Sequence, residues 1–94
     1  MSENQSLAKF RLGHLVSTPN ALSQLQQEDI LKAIQRHQGG DWGDVDEHDR
    51  QANDHALIEG TRLLSVYCAV NGTKFWIITE ADRSVTTILL PEDY

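Results

Sequence analysis

The chain has 94 residues, enough for one domain with a modest hydrophobic core. Apolar residues make up 39% of the sequence and charged residues 23%, a balance typical of a folded protein rather than a disordered one. The formal net charge of −6 argues against nucleic-acid binding, which needs a basic face. We therefore expect one domain over residues 1–94, of which residues 1–6 are disordered.

The sequence also predicts where the protein resides. It has no apolar run near the roughly 18 residues of a membrane span, and its first ten residues lack the features of a secretory signal. The single cysteine, Cys68, cannot form an internal disulfide and is expected to be an inert thiol in the core. These features predict a cytoplasmic protein, for which we expect neither a membrane partner nor a cofactor.

In chain order, the first part of the sequence predicts a strand followed by two helices. KFRLGHLVS (residues 9–17) has the pattern of a short strand. Thr18-Pro19 is a typical helix start, with Thr18 as the N-cap and Pro19 as the first helical residue. The spacing of apolar residues changes phase near Gln26-Gln27, which predicts a short helix, a joint and a second helix over about 28–38.

The next stretch, GDWGDVDEHDRQANDHAL (residues 40–57), contains six carboxylates. Gly40 is expected to end the second helix, and Trp42 to fill the joint between helix and sheet. Asp44 and Glu47 have the spacing of a capping box, which predicts a third helix over the rest of the stretch.

Candidates for catalysis lie in and next to this stretch. A histidine beside a carboxylate can act as a general acid or base, and paired carboxylates can hold Mg²⁺ for phosphodiester cleavage. A small hydrolase or nuclease would use His37 with Asp41, Asp44 or Asn53. Each residue also has a structural interpretation. His37 can complement a helix dipole, the aspartates can accept backbone N–H bonds, and Asn53 can bind a backbone group from the apolar side of its helix. The spacing matches no zinc or calcium motif, so we expect no metal site.

RLLSVYCAV-NG-TKFWIIT (residues 62–79) contains two apolar runs joined by Asn71-Gly72, the pair typical of a two-residue type I′ hairpin turn. That turn places Tyr67 opposite Trp76. VTTILL then predicts a third strand. The expected fold is α+β, with two or three helices packed on an antiparallel β-meander of three or four strands.

Both faces of this predicted sheet are apolar, whereas an antiparallel sheet commonly exposes one polar face. The helices can cover one face well, so we expect the other to bind a protein partner or, as a homodimer, a second copy of the chain. That face contains Leu63, Tyr67, Trp76 and Ile78. In the alternatives, the N-terminal segment folds over this face, or helix packing buries all four residues.

The turn sequence EADRS after the hairpin is a second candidate for binding. Glu80 and Arg83 are the candidate recognition pair, because an arginine binds a carboxylate or a phosphate through two hydrogen bonds. In the favoured alternative the loop is structural and Arg83 pairs locally. Arg62, Lys74 and Arg83 are the basic residues of this region, too few for RNA binding.

The runs GDWGDVDEHDRQANDHALIEGTRLLSVY and KFWIITEADRSVTTILLPEDY resemble a family of small bacterial proteins that are frequent on plasmids and other mobile elements. The shared pattern also includes Thr18-Pro19 and Arg36-His37, so that the resemblance covers about residues 12–94. The chain departs from the pattern at Asn20, where a glycine is expected, and at Gln26-Gln27. The resemblance implies no defined activity, and its link to restriction systems is loose.

Two functions follow as alternatives. The first is a small acidic accessory protein of the mobile-element type, which acts through protein–protein interaction and inhibits a host defence system. The second is the hydrolase or nuclease described above. The negative charge, the small size and the structural interpretation of each catalytic candidate favour the first, although an enzymatic activity stays open.

Overall fold

The computed structural model describes residues 8–94, so the disorder expected for residues 1–6 lies outside the described residues. The elements in chain order are β1 (His14–Ser17), α1 (Pro19–Gln24), α2 (Gln27–Gln38), α3 (Glu47–Glu59), β2 (Leu63–Cys68), β3 (Lys74–Thr79), β4 (Val85–Leu89) and a C-terminal 3₁₀ helix (Pro91–Asp93). The fold is α+β, as the sequence predicts. In the described part of the chain, no helix has the length and apolar character needed to cross a bilayer.

Within residues 8–94 the sheet has four strands, in the order β1-β4-β3-β2. β3 pairs antiparallel with β2 and with β4, whereas β1 runs parallel to β4. The expectation of a purely antiparallel meander is therefore wrong for β1. Three helices and a hairpin separate β1 from β4, and a connection of this length permits the parallel direction that a tight hairpin excludes.

Two of the three helices begin and end near the positions that the sequence predicts. Thr18 is the N-cap of α1, its hydroxyl oxygen accepts a hydrogen bond from the Ala21 N–H at 3.1 Å, and Pro19 follows as the first helical residue. The chain becomes extended at Leu25, which separates α1 from α2. α2 then ends before Gly40. The predicted short helix, joint and second helix are therefore present.

α3 begins two residues later than a capping box at Asp44 would require. Asp46 is the N-cap, and its carboxylate accepts a hydrogen bond from the Asp49 N–H at 2.8 Å. Glu47 is the first helical residue rather than the third. The capping box predicted at Asp44 and Glu47 is therefore wrong.

The loop between β2 and β3 is one residue longer than the predicted turn. The Ala69 N–H donates to the Thr73 carbonyl, the Gly72 N–H donates to the Ala69 carbonyl, and Gly72 has a φ of 89°. These bonds define a three-residue loop. A two-residue type I′ turn would need a positive φ at Asn71 as well, which the structure does not have.

This longer loop shifts the strand register by one residue and turns β2 over relative to β3. Tyr67 pairs with Phe75 instead of Trp76, and Leu63 changes face with it. Both Leu63 and Tyr67 are buried on the side that the helices cover. The predicted surface does not form, because Leu63 and Tyr67 lie on one side of the sheet and Trp76 and Ile78 on the other.

The helix-covered face holds two hydrophobic clusters. The larger joins α1 and α2 to the middle of the sheet and contains Ala21, Leu25, Ala33, Tyr67, Ala69, Phe75, Ile77, Ile88 and Leu90. The smaller lies at the start of β2 and contains Trp42, Ala56 and Leu63, packed against Phe10, Val45 and Leu57.

The opposite face of the sheet is covered in part by the C-terminus. Ile78 and Leu89 are buried there, and Trp76 is half-buried. The ring of Tyr94 meets Trp76 edge-on with 5.6 Å between ring centroids, and the Tyr94 hydroxyl accepts a hydrogen bond from Arg62 at 3.0 Å. The 3₁₀ helix lies against β3. The C-terminus therefore covers part of the apolar surface around Trp76.

Candidate functional site

His37, the catalytic histidine of the enzymatic alternative, lies fully buried in the last turn of α2. Its Nδ1 is 2.6 Å from Ser65 Oγ, and its Nε2 is 2.8 Å from Thr79 Oγ1. From Thr79, hydrogen bonds continue to the Thr86 hydroxyl at 2.7 Å and on to the Leu12 carbonyl at 2.7 Å. These residues form one buried polar chain, which we call the His37 chain.

The far end of the His37 chain sets the direction of every proton in it. The Thr86 hydroxyl donates to the Leu12 carbonyl, so the Thr79 hydroxyl donates to Thr86 and the His37 Nε2–H donates to Thr79. Nδ1 then accepts from the Ser65 hydroxyl. Burial lowers the pKa of His37 to about 4, which keeps the imidazole neutral near pH 7.

A serine that donates to a histidine has the arrangement of a nucleophile and its base. Here neither His37 nor Ser65 has exposed surface, so no substrate reaches the pair in this conformation. The hydrogen-bond partners of His37 are Ser65 and Thr79, and not the predicted Asp41, Asp44 or Asn53. The four catalytic candidates are therefore not brought together.

Asp41 binds Arg36 instead of His37. Arg36 Nε donates to Asp41 Oδ2 at 2.8 Å, and this hydrogen bond is the main reason that the pKa of Asp41 lies below its usual value. The Asp41 carbonyl accepts the Tyr67 hydroxyl at 2.6 Å. Burial raises the pKa of that hydroxyl to about 12, so it remains a donor. Asp41 thus anchors the start of the acidic stretch against β2.

The residues after Asp41 close the outer edge of β2. The Val66 N–H donates to the Trp42 carbonyl at 3.0 Å, and the Asp44 N–H donates to the Val66 carbonyl at 2.7 Å. Gly43 permits this approach, because its φ is 78° and a Cβ there would lie 2.0 Å from the Val66 carbonyl oxygen. The Trp42 side chain is buried, and its indole N–H donates to the Asp54 carboxylate at 2.9 Å.

Asn53 closes the same edge at the neighbouring position. Its Nδ2 donates to the Leu64 carbonyl at 2.7 Å, and its Oδ1 accepts from the Leu64 N–H at 3.1 Å. The side-chain amide thus takes the place of a backbone amide in an adjacent strand. Together with the bridge at Gly43, it satisfies the outward backbone groups of Leu64 and Val66.

Within residues 8–94, nothing closes the outer edge of β1 in the same way. The N–H groups of His14 and Thr18 donate to carbonyls that flank or belong to β4, so the backbone groups of Leu15 and Ser17 alternate outward. The side chains of Leu15 and Val16 are 47% and 40% exposed. A solvent-exposed edge strand with outward backbone groups can pair with a further strand.

No local pattern in the sequence marks the β1 residues as a site. HLVS (residues 14–17) is too short to stand out, and its edge position depends on its pairing with β4 far along the chain. One signal was available in the charge pattern, since residues 4–27 contain no carboxylate in a chain of net charge −6.

The charged groups of Arg83 and Glu80 have different partners, although Arg83 also donates to the Glu80 backbone carbonyl at 3.0 Å. The Arg83 guanidinium donates to the Thr61 carbonyl at 2.7 Å and to the Ala56 carbonyl at 3.1 Å. Glu80 instead lies 3.2 Å from Arg62. Arg83 therefore ties the C-terminal end of α3 to the loop before β4, where helix carbonyls lack partners within the helix.

A cluster of potential metal ligands and the single cysteine are two further candidates for a chemical role. Among the described residues, Asp46, His48 and Asp49 have ligand atoms within 4.8 Å of one another, but all three are exposed and Asp46 already caps α3, so we assign no metal to them. Cys68 is exposed and pairs with Lys74, so the prediction of a core thiol is wrong.

Comparison of the chain with protein-family models, with curated proteins and with solved structures gives no match. The resemblance to a mobile-element family therefore stays a prediction from the sequence. Function has to be inferred from the geometry of the chain itself.

Proposed function

We propose that the protein is a non-enzymatic binding protein that engages an extended segment of another polypeptide at the outer edge of β1. The supporting observation is the difference between the two sheet edges. Leu64 and Val66 of β2 have partners for their outward backbone groups, whereas Leu15 and Ser17 of β1 have none within residues 8–94. A strand added to β1 would exchange water for ladder hydrogen bonds and cover the apolar side chains beside them.

This edge replaces the surface that the sequence predicted around Trp76, where the C-terminus already packs. The accessory role on a mobile element, including inhibition of a host defence system, is part of the proposal and rests on the resemblance alone. The hydrolase alternative lacks a supporting contact, because His37 binds Ser65 and Thr79 in the core.

A pair of matched valine variants tests the proposal. Val16→Lys places a charge in the middle of β1, and Val70→Lys makes the same change at a valine that is 89% exposed in the β2–β3 loop. Each chain is immobilised and incubated with an extract of the cells that produce it, and captured proteins are quantified by mass spectrometry. We expect at least one protein to be captured by both wild type and Val70→Lys. Val16→Lys should capture at least about tenfold less of this protein, which corresponds to a loss of about 1.4 kcal/mol in binding free energy.

The comparison between the two variants decides the outcome. Identical captured sets for Val16→Lys and Val70→Lys would contradict the proposal, because the lysine on β1 would then have no effect. Thermal unfolding of both variants checks that the difference does not come from loss of the fold.

A further inference from the structure

The outer edge of β1 is complementary to itself. Its outward backbone groups belong to Leu15 and Ser17, two residues apart, with Val16 between them. If a second copy lies antiparallel with the two-fold axis at Val16, Leu15 of each copy faces Ser17 of the other. The two pairs then form four N–H to carbonyl hydrogen bonds.

We propose that the segment bound at this edge is β1 of a second copy of the chain, so that two four-stranded sheets join into one sheet of eight strands. The inference rests on the proposed function, because it names the partner of the same edge. The interface is isologous, and each copy contributes the same residues to it.

The side chains next to the edge fit this arrangement. Val16 of each copy lies on the two-fold axis as a pair without backbone hydrogen bonds, in which Cα atoms approach to about 4.5 Å. The two valines, each 40% exposed in one copy, therefore cover each other. Leu15 lies on the other side of the strand, beside Ser17 of the second copy.

The charges also favour a second copy. β1 lies within residues 4–27, which contain no carboxylate, so no acidic side chain of this segment opposes the approach of a second copy with net charge −6. In the antiparallel register, the exposed His14 lies opposite Thr18 of the second copy. The Thr18 hydroxyl donates to Asp93 at 2.6 Å, a bond that lowers the pKa of Asp93 and keeps it ionised. His14 of each copy thus approaches a carboxylate of the other.

The length of β1 limits the strength of this pairing. The strand ends before Thr18, and Pro19 beyond it has no N–H to donate. Four hydrogen bonds and a small apolar contact area place the dimer among weak interfaces, with a dissociation constant on the order of 10 µM.

Sedimentation equilibrium of the full chain over a concentration range from about 1 to 500 µM tests the pairing, a range that brackets the expected constant. We expect the average molar mass of wild type and of Val70→Lys to approach twice the chain mass at the highest concentrations. Val16→Lys puts two like charges on the axis and should raise the dissociation constant at least tenfold. His14→Glu puts a carboxylate opposite Asp93 and should raise it several-fold, whereas His14→Lys should not.

A further variant covers the case in which Val16→Lys fails to fold. Leu15→Pro removes one outward N–H and leaves the bonds between β1 and β4 in place, because an edge strand tolerates proline on its outer side. It should also abolish the dimer.

The outcomes separate this inference from the proposed function. A wild-type chain that stays monomeric at 500 µM overturns self-pairing, and so does a dimer that Val16→Lys, Leu15→Pro and His14→Glu leave unchanged. If the isolated chain is monomeric but cell extracts yield a different protein captured through the edge, the proposed function stands and the second copy is the wrong partner. If neither experiment depends on the edge, both fail.

Discussion

The two outer edges of the sheet differ in how their backbone groups are satisfied. On β2, a helix side chain (Asn53) and a tight bridge at Gly43 supply the hydrogen bonds that a neighbouring strand would provide. On β1, the outward groups of Leu15 and Ser17 have no partner within residues 8–94. Exposed edges promote pairing with other chains, and proteins usually block them. Blocking one edge and leaving the other directs any such pairing to β1.

The acidic stretch between α2 and β2 has a structural role at the closed edge of the sheet. Trp42 and Asp44 bond to the β2 backbone, Asp46 caps α3, and α3 in turn positions Asn53. Trp42, Asp44 and Asn53 therefore serve to close one edge of the sheet, and the concentration of carboxylates around them does not by itself indicate catalysis.

The largest expected effect comes from breaking the closed edge at Gly43. A Cβ in Gly43→Ala would meet the Val66 carbonyl oxygen at 2.0 Å and the Tyr67 ring at 2.7 Å, at a φ of 78°. Backbone strain and overpacking together should lower the free energy of unfolding by about 4 kcal/mol. Urea denaturation measures the loss.

Gly60→Ala is the matched control for this change. Gly60 has nearly the same φ, 77°, but no atom lies within 4 Å of the Cβ it would gain. We expect a loss of only about 1 kcal/mol there, from backbone strain alone. Equal losses in the two variants would show that the bridge to Val66 is not required for the fold.

Acid pH tests the buried His37 chain, which runs from Ser65 in β2 to the Leu12 carbonyl just before β1. The pKa of His37 is about 4 in the folded state and about 6.5 when unfolded, so the unfolded chain binds more protons between these values. The contribution of His37 to the free energy of unfolding is fully present above pH 6.5. It should fall by about 3 kcal/mol as the pH is lowered to 4.

Substitution of the histidine identifies the source of this slope. His37→Gln should unfold more easily at pH 7 and lose most of the pH dependence between 6.5 and 4, whereas His48→Gln, at an exposed site, should keep it. Four carboxylates also have lowered pKa values, those of Asp41, Glu47, Asp82 and Asp93, and their contributions are lost as the pH falls below about 4.5. Because this loss is common to both variants, the comparison of His37→Gln with His48→Gln isolates the histidine. Unchanged pH dependence in His37→Gln would contradict the assignment.

The sequence predicted the parts of the fold that depend on local signals. Thr18-Pro19 marks the start of α1, and the change of phase at Gln26-Gln27 marks the break before α2. The sequence predicts the position of the β2–β3 hairpin correctly but its register wrongly. Asn71-Gly72 fits a loop of two or of three residues, and a difference of one residue moves the side chains of β2 to the opposite face of the sheet.

The remaining errors come from contacts between distant residues. Asp44 and Asp46 each precede another acidic residue by three positions, so both fit a helix cap in the sequence. The bond between the Asp44 N–H and the Val66 carbonyl holds Asp44 in the edge bridge and leaves the cap to Asp46. The exposure of β1 likewise depends on its parallel pairing with β4, which no local pattern predicts.

The smallest predicted effect is confined to one position on the closed edge. Asn53→Ala removes both hydrogen bonds to Leu64 and should lower the free energy of unfolding by about 2 kcal/mol. Gln51→Ala, at an exposed position on the same helix, should cost less than about 0.5 kcal/mol. Amide hydrogen exchange at Leu64 should become at least about tenfold faster in Asn53→Ala, while Val66 stays protected by Trp42. Equal acceleration at Leu64 and Val66 would mean that the closed edge opens as one unit, and that Asn53 and the Gly43 bridge do not protect it independently.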